Sequence, residues 1–165
     1  MPITLRQAGP DDWLIYRNLR LRALTEEPQA YASTLERELQ LTDQQWWDRL
    51  GRAFTVLALT DEELIGTATG VWRGDGDMMI VAMYVVPQAR GRGLAVRLID
   101  VIAGAAMAGG GRRLLLDLAE GNAAAERSYR RYGFVPTGQF TPMERDPSIM
   151  ESRFAYPLGD PAGTP

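Results

Sequence analysis

Residues 85–95 read Val-Val-Pro-Gln-Ala-Arg-Gly-Arg-Gly-Leu-Ala and carry the chemistry most legible in this chain. They follow an apolar run, Met78 to Val86, and open an apolar-periodic segment reaching about Ala108. A strand, a proline-punctuated turn, a glycine-rich turn and a helix are therefore expected in succession. The first turn of a helix leaves backbone N–H groups unpaired, and its dipole favours an anion there. Gly91 and Gly93 have no Cβ, so a ligand could approach that backbone closely, and Arg90 and Arg92 add positive charge. The stretch reads either as a plain turn or as a pocket for phosphate or pyrophosphate. No Lys-Ser/Thr follows the glycines, so it is not a Walker loop. Val96 stands where a dinucleotide fingerprint has its third glycine, and the turn lies mid-chain.

What is missing narrows the reaction further. The chain has no Cys, no His and no Lys; all 18 basic residues are Arg. Thiolate nucleophiles, zinc–thiolate sites, Ser-His-Asp triads and Schiff bases are excluded. Carboxylates, Tyr, Ser/Thr, Arg and backbone groups are left to act. A net charge of −3 argues against wholesale nucleic-acid binding. No apolar run has the length of a membrane span, and the N-terminal residues lack a signal-peptide core. A cytoplasmic protein, bound neither to membrane nor to nucleic acid, is expected.

Ile3–Gln7 alternates as a strand, and Pro10-Asp11-Asp12 starts a helix through Trp13, Leu14, Leu19 and Leu24. Thr34–Leu41 reads as helical, and Asp43 is the expected cap of a short helix through Trp46, Trp47 and Leu50, with one of the two tryptophans in the core. Strands over 53–59, 64–72 and 78–86 form an antiparallel meander that ends at the glycine-rich turn. Gly109-Gly110-Gly111 stops the long helix, and Arg113–Leu118 is a strand of the buried type. Asn122 caps a helix to Tyr132, a strand begins at Phe134-Val135, and Ser152–Leu158 is the last strand. The order predicts an α+β fold: a mixed sheet with helices on both faces, in one domain over 1–158. The tail 159–165, rich in Pro and Gly, is expected to be disordered.

A second motif narrows the reading. Asn122-Ala-Ala-Ala-Glu-Arg-Ser-Tyr129-Arg-Arg-Tyr132-Gly133-Phe134, together with Val85-x-Pro87 and Arg90-Gly-Arg-Gly-Leu-Ala95, closely resembles the GCN5-related N-acetyltransferase (GNAT) superfamily. In element order the resemblance runs from about residue 2 to 158. It implies a mostly antiparallel sheet of six or seven strands whose central parallel pair, 78–86 and 113–118, splays apart to admit acetyl-CoA. It places the pyrophosphate on the amides of Arg90, Gly91, Arg92, Gly93, Leu94 and Ala95, with Met83 also against the cofactor. The Val85 amide would polarise the thioester carbonyl, Asn122 would bond the pantetheine, and Tyr129 would point its hydroxyl at the sulfur. Asn122 also reads as a helix cap, Tyr129 as a surface residue, and Met83 as packing.

The resemblance implies an acetyl-CoA-dependent N-acetyltransferase, with no metal, acting on an amine of a small molecule or peptide. Without Cys, His or Lys, direct attack in a ternary complex is expected. Glu36 and Glu38, in the region that borders the family's acceptor cleft, are the candidate general bases, with Asp117 and Glu120 as further options. Monomer and homodimer are both compatible. Two other classes remain open: a non-catalytic acyl-CoA sensor of the same fold, and a nucleotide-binding regulator using the Gly91/Gly93 turn.

Overall fold

A computed structural model describes residues 2–61 and 63–159. The strands are β1 (Thr4–Gln7), β2 (Phe54–Leu59), β3 (Leu64–Trp72), β4 (Asp77–Val85), β5 (Arg113–Ala119), β6 (Val135–Pro142) and β7 (Met150–Pro157). The helices are α1 (Trp13–Glu26), α2 (Leu35–Leu39), α3 (Asp43–Arg52), α4 (Leu94–Ala108) and α5 (Ala123–Tyr132). The expected tail falls, beyond Gly159, outside the described residues.

All seven strands form one sheet in the order β1-β2-β3-β4-β5-β7-β6. Every neighbouring pair is antiparallel except β4 and β5. That parallel pair is hydrogen-bonded only from Asp77–Met79 to Arg113–Leu115. Beyond Met79 the two strands part, and the expected splay lies at the centre of the sheet.

Alternation of side chains decides what each face meets. On β3, Gly66 and Gly70 face α4; a Cβ at Gly70 would stand 2.6 Å from the Met78 sulfur and 3.0 Å from Ile102 Cγ2. Absence of a side chain there lets the helix settle onto the strand. Leu98, Ile99 and Ile102 of α4 are fully buried in this layer with Val56, Ala58, Ala68 and Met78. Thr67, Thr69 and Val71 point to the other face, beneath α1–α3.

Two local expectations shift. Thr42, not Asp43, caps α3: its hydroxyl accepts from the Gln45 N–H, while the Gln45 side chain accepts from the Thr42 N–H. On α1 the buried stripe is Tyr16, Leu19, Arg20, Ala23 and Leu24, so Leu14 lies off it and is 50% exposed. Trp46 is fully buried and Trp47 is 42% exposed, so one tryptophan is core, as expected.

Candidate active site

The glycine-rich turn takes the conformation its residues allow. Gly91 and Gly93 have φ of 75° and 72°, the left-handed region that glycine enters without steric cost. Arg97 donates to Gly93 C=O, which closes the first turn of α4. The N–H groups of Gly91, Arg92, Gly93, Leu94, Ala95 and Val96 meet no acceptor among the described residues. Six consecutive unsatisfied donors at a helix N-terminus fit a diphosphate. The series differs from expectation at both ends. Arg90 commits its N–H to Pro87 C=O at 3.3 Å, and Val96 joins. The Arg90 side chain is held too, by Glu27 at 2.8 Å and by Val85 C=O at 2.8 Å.

That last bond orients Val85. Val86 donates to Ile65 C=O, and Gly66 stands opposite Val85. Antiparallel alternation then turns the Val85 N–H and C=O away from β3, toward the splay. Arg90 takes the carbonyl, and the N–H faces the gap. The strand is irregular just before it. The register between β3 and β4 shifts across Thr67 and Thr69, and Ala82 has φ 54°. A non-glycine residue in the left-handed region marks a bulge, a device that bends strands beside functional sites. Met83 follows it, and its carbonyl accepts from the Tyr31 hydroxyl at 2.9 Å.

Across the gap, Asn122 caps α5 by accepting from the Ala125 N–H at 3.3 Å. Tyr129, two turns on, packs its ring edge-on against buried Phe134, with centroids 6.0 Å apart. Its hydroxyl has no hydrogen-bond partner among the described residues. Burial pushes its pKa up to about 12, so it stays a proton-bearing donor through the neutral range.

On the opposite face of the sheet lies a cavity of about 460 Å³, reaching from α1 to β7 and bounded at β4 by Val81 and Ala82. Its walls are charged. Arg20 and Glu38 form a buried ion pair at 3.0 Å, and Arg49 reaches the other oxygen of Glu38 at 3.1 Å. Burial opposes ionisation of Glu38, but the two arginines outweigh it and hold its carboxyl below the usual range. Asp117 is gripped by Arg153 through two bonds of 2.8 and 2.9 Å. Glu151, opposite Ala119 on β5, also lines the cavity and has no ion-pair partner among the described residues. Burial and the neighbouring Asp117 charge raise its pKa, against a smaller opposing effect of Arg153.

The candidate bases therefore separate. Glu36 is exposed and does not line the cavity; Glu120 is exposed as well. Glu38 lines it, but both oxygens are committed to arginines. Asp117 lines it, bound by Arg153. Glu151 is not among the sequence candidates: it precedes the strand expected over Ser152–Leu158, and a lone glutamate there gives no signal. Among the described residues no group of three acidic residues could hold a metal ion, and no helix is long and apolar enough to cross a membrane.

A sequence model of the acetyltransferase (GNAT) family matches residues 19–134, more than half of the chain. The chain belongs to the GNAT family. GNAT enzymes take their acetyl group from acetyl-CoA, which is the cosubstrate the amide series suits. The fold agrees with solved structures at low identity. A GNAT acetyltransferase from Streptococcus pneumoniae superposes with a TM-score of 0.81 at 20% identity, over 96% of this chain and 100% of that one. An N-acetyltransferase from Staphylococcus aureus gives 0.77 at 19%, over 96% and 100%. The protein yncA from Salmonella typhimurium, determined with acetyl-CoA, gives 0.75 at 18%, over 100% and 99%. No curated protein matched. The amide series and the charged cavity lie on opposite sides of the sheet, at the splay of β4 and β5.

Proposed function

We propose that this enzyme moves the acetyl group of acetyl-CoA to a primary amine by direct attack in a ternary complex. The observation that carries the reading is the Val85 N–H, turned into the splay between the amide series and the cavity. An amine entering from the cavity would meet a thioester threaded from the amide side. The N–H groups of 91–96 hold the diphosphate, and Asn122 presents its remaining amide hydrogens to the pantetheine. Met83 and Val85 line the path with backbone groups, as an added strand would find them.

The amine must lose a proton. If it resembles Lys, with a pKa of about 10.4, its free-base form costs roughly 4–5 kcal/mol at pH 7. Glu151 is the carboxylate suited to accept that proton, because its pKa is raised and it has no ion-pair partner among the described residues. The nitrogen lone pair then attacks the carbonyl carbon, and Val85 N–H stabilises the oxygen as it gains charge. The C–S bond breaks with its electron pair on sulfur. Full protonation of that thiolate by Tyr129 is uphill, since the hydroxyl titrates near 12 and an ordinary thiol near 8.5. Tyr129 instead donates a hydrogen bond to the departing sulfur, and solvent supplies the proton later.

The test is thiol release from acetyl-CoA across a panel of primary amines, with the N-acetyl product identified by mass. Turnover with at least one amine is expected. Tight CoA binding with no thiol release on any amine would overturn the reading in favour of a sensor.

A further inference from the structure

Three nitrogens make up the Arg20 guanidinium, and only two are used. Nε and Nη2 grip Glu38, while Nη1 is buried without a hydrogen-bond partner among the described residues. Arg20 as a whole is 8% exposed and lines the cavity. A buried donor left unpaired costs about 1–3 kcal/mol, more for a charged group, and native folds almost always satisfy such donors with protein, water or ligand. A buried ion pair gains little stability over apolar packing, so the Arg20–Glu38–Arg49 cluster is poorly explained as a fold-stabilising device.

The charge of the whole cavity points the same way. Four arginines (Arg20, Arg49, Arg73 and Arg153) face three carboxylates (Glu38, Asp117 and Glu151). Asp117 and Arg153 neutralise one another, and Glu38 is outnumbered by its two partners. The Arg73 guanidinium has no ion-pair partner among the described residues. Beneath α1 and α2, Arg20 and Arg49 outnumber Glu38, so that wall is cationic, while Glu151 on β7 has no ion-pair partner among the described residues. A polycation would be repelled by such a lining. A molecule with an ammonium group at one end and an oxyanion at the other would be matched at both.

We infer that the amine acceptor also carries a carboxylate or similar oxyanion, which docks on Arg20 Nη1 while its amine lies toward Glu151. This rests on the acetyl-transfer reading of the same site. It makes the acceptor a small molecule whose amine and oxyanion stand several bonds apart, a size that a cavity of about 460 Å³ accommodates.

The experiment compares matched probes on the CoA-loaded enzyme. 4-Aminobutanoate, 5-aminopentanoate and 6-aminohexanoate are each set against the corresponding carboxamide and the alkylamine lacking the carboxylate. Binding is read by calorimetry on the CoA-loaded enzyme, and turnover by thiol release when acetyl-CoA replaces CoA. The acids are expected to bind at least about tenfold more tightly than both counterparts that lack the carboxylate, the range of a charged hydrogen bond. Arg20→Lys keeps a cation beside Glu38 but has no nitrogen at the Nη1 position, and is expected to lose that preference. Arg73→Gln, on the surface, is expected to reduce it severalfold if Arg20→Lys fails to fold. A binding preference without thiol release leaves the oxyanion subsite standing and sinks acetyl transfer. Equal binding of acids, carboxamides and amines overturns the subsite, whatever the turnover. A preference that survives both variants overturns the assignment to these arginines.

Discussion

The two halves of the site are built in different ways. The proposed donor side consists of consecutive residues, 91–96, and offers backbone N–H groups whose directions follow from a turn and a helix start. The acceptor side draws single side chains from α1, α2, α3, β5 and β7, brought together only by the sheet order. A backbone site depends on few side chains and is fixed by local sequence. A side-chain cavity depends on tertiary placement, and each member can be exchanged separately. The donor half should therefore tolerate most substitutions outside its glycines, and the acceptor half should respond sharply to single ones.

The largest effect is expected at Glu151. Glu151→Gln removes the proposed base, and kcat/KM for the best amine should fall by about 10²–10⁴, the general-base range. The pH profile gives the sharper reading. A protonated Glu151 cannot accept a proton, so the wild-type rate should decline with falling pH on a limb above the ordinary glutamate value of about 4.3. That limb should vanish in the variant. The sign for stability is opposite. A carboxyl whose pKa is raised by folding favours the fold while protonated, and that contribution is lost as pH rises through the folded value. Glu151→Gln should thus melt no lower than wild type at pH 7. An intact acidic limb in the variant would return the base to Asp117 or to water.

A smaller loss is expected at Tyr129, on the donor side of the gap. A hydrogen bond to a charged atom contributes about 1.5–3 kcal/mol, which is roughly ten- to 150-fold in rate. Tyr129→Phe should lower kcat by that factor and leave the Kd for CoA within about twofold. With the hydroxyl titrating near 12, no alkaline limb from Tyr129 should appear below about pH 10. Unchanged kcat would reduce Tyr129 to the ring that packs on Phe134.

These contrasts explain what the sequence displayed. Strand and helix spans were legible because Gly74–Asp77, Gly109–Gly111 and Gly133 punctuate apolar runs. The parallel splay came from the resemblance; no local pattern encodes where β4 and β5 part. Ala82 carries the bulge with no turn residue to announce it. Arg20 did leave a trace, since it occupies the buried stripe of α1 between Leu19 and Ala23. A lone arginine on an apolar stripe asks for a buried partner, but nothing local says that Glu38, 18 residues on, supplies it. Glu36 and Glu38 looked alike in sequence, and the short helix α2 buries one and exposes the other.

The smallest effect separates two reasons for glycine in the donor loop. At Gly93 a Cβ would meet nothing within 4 Å in the free chain, so stability there is governed by φ of 72° alone. Asparagine enters the left-handed region more readily than alanine, for which the cost is about 1–2 kcal/mol. Gly93→Asn should therefore melt above Gly93→Ala. Affinity should run the other way if a diphosphate lies against this backbone, because asparagine is the bulkier. Calorimetric Kd values for CoA are expected to weaken from Gly93 to Ala to Asn, by severalfold at each step. If affinity instead follows the melting order, the glycine serves only to shape the turn, and close approach of the diphosphate must be sought at Gly91, whose Cβ position is equally open.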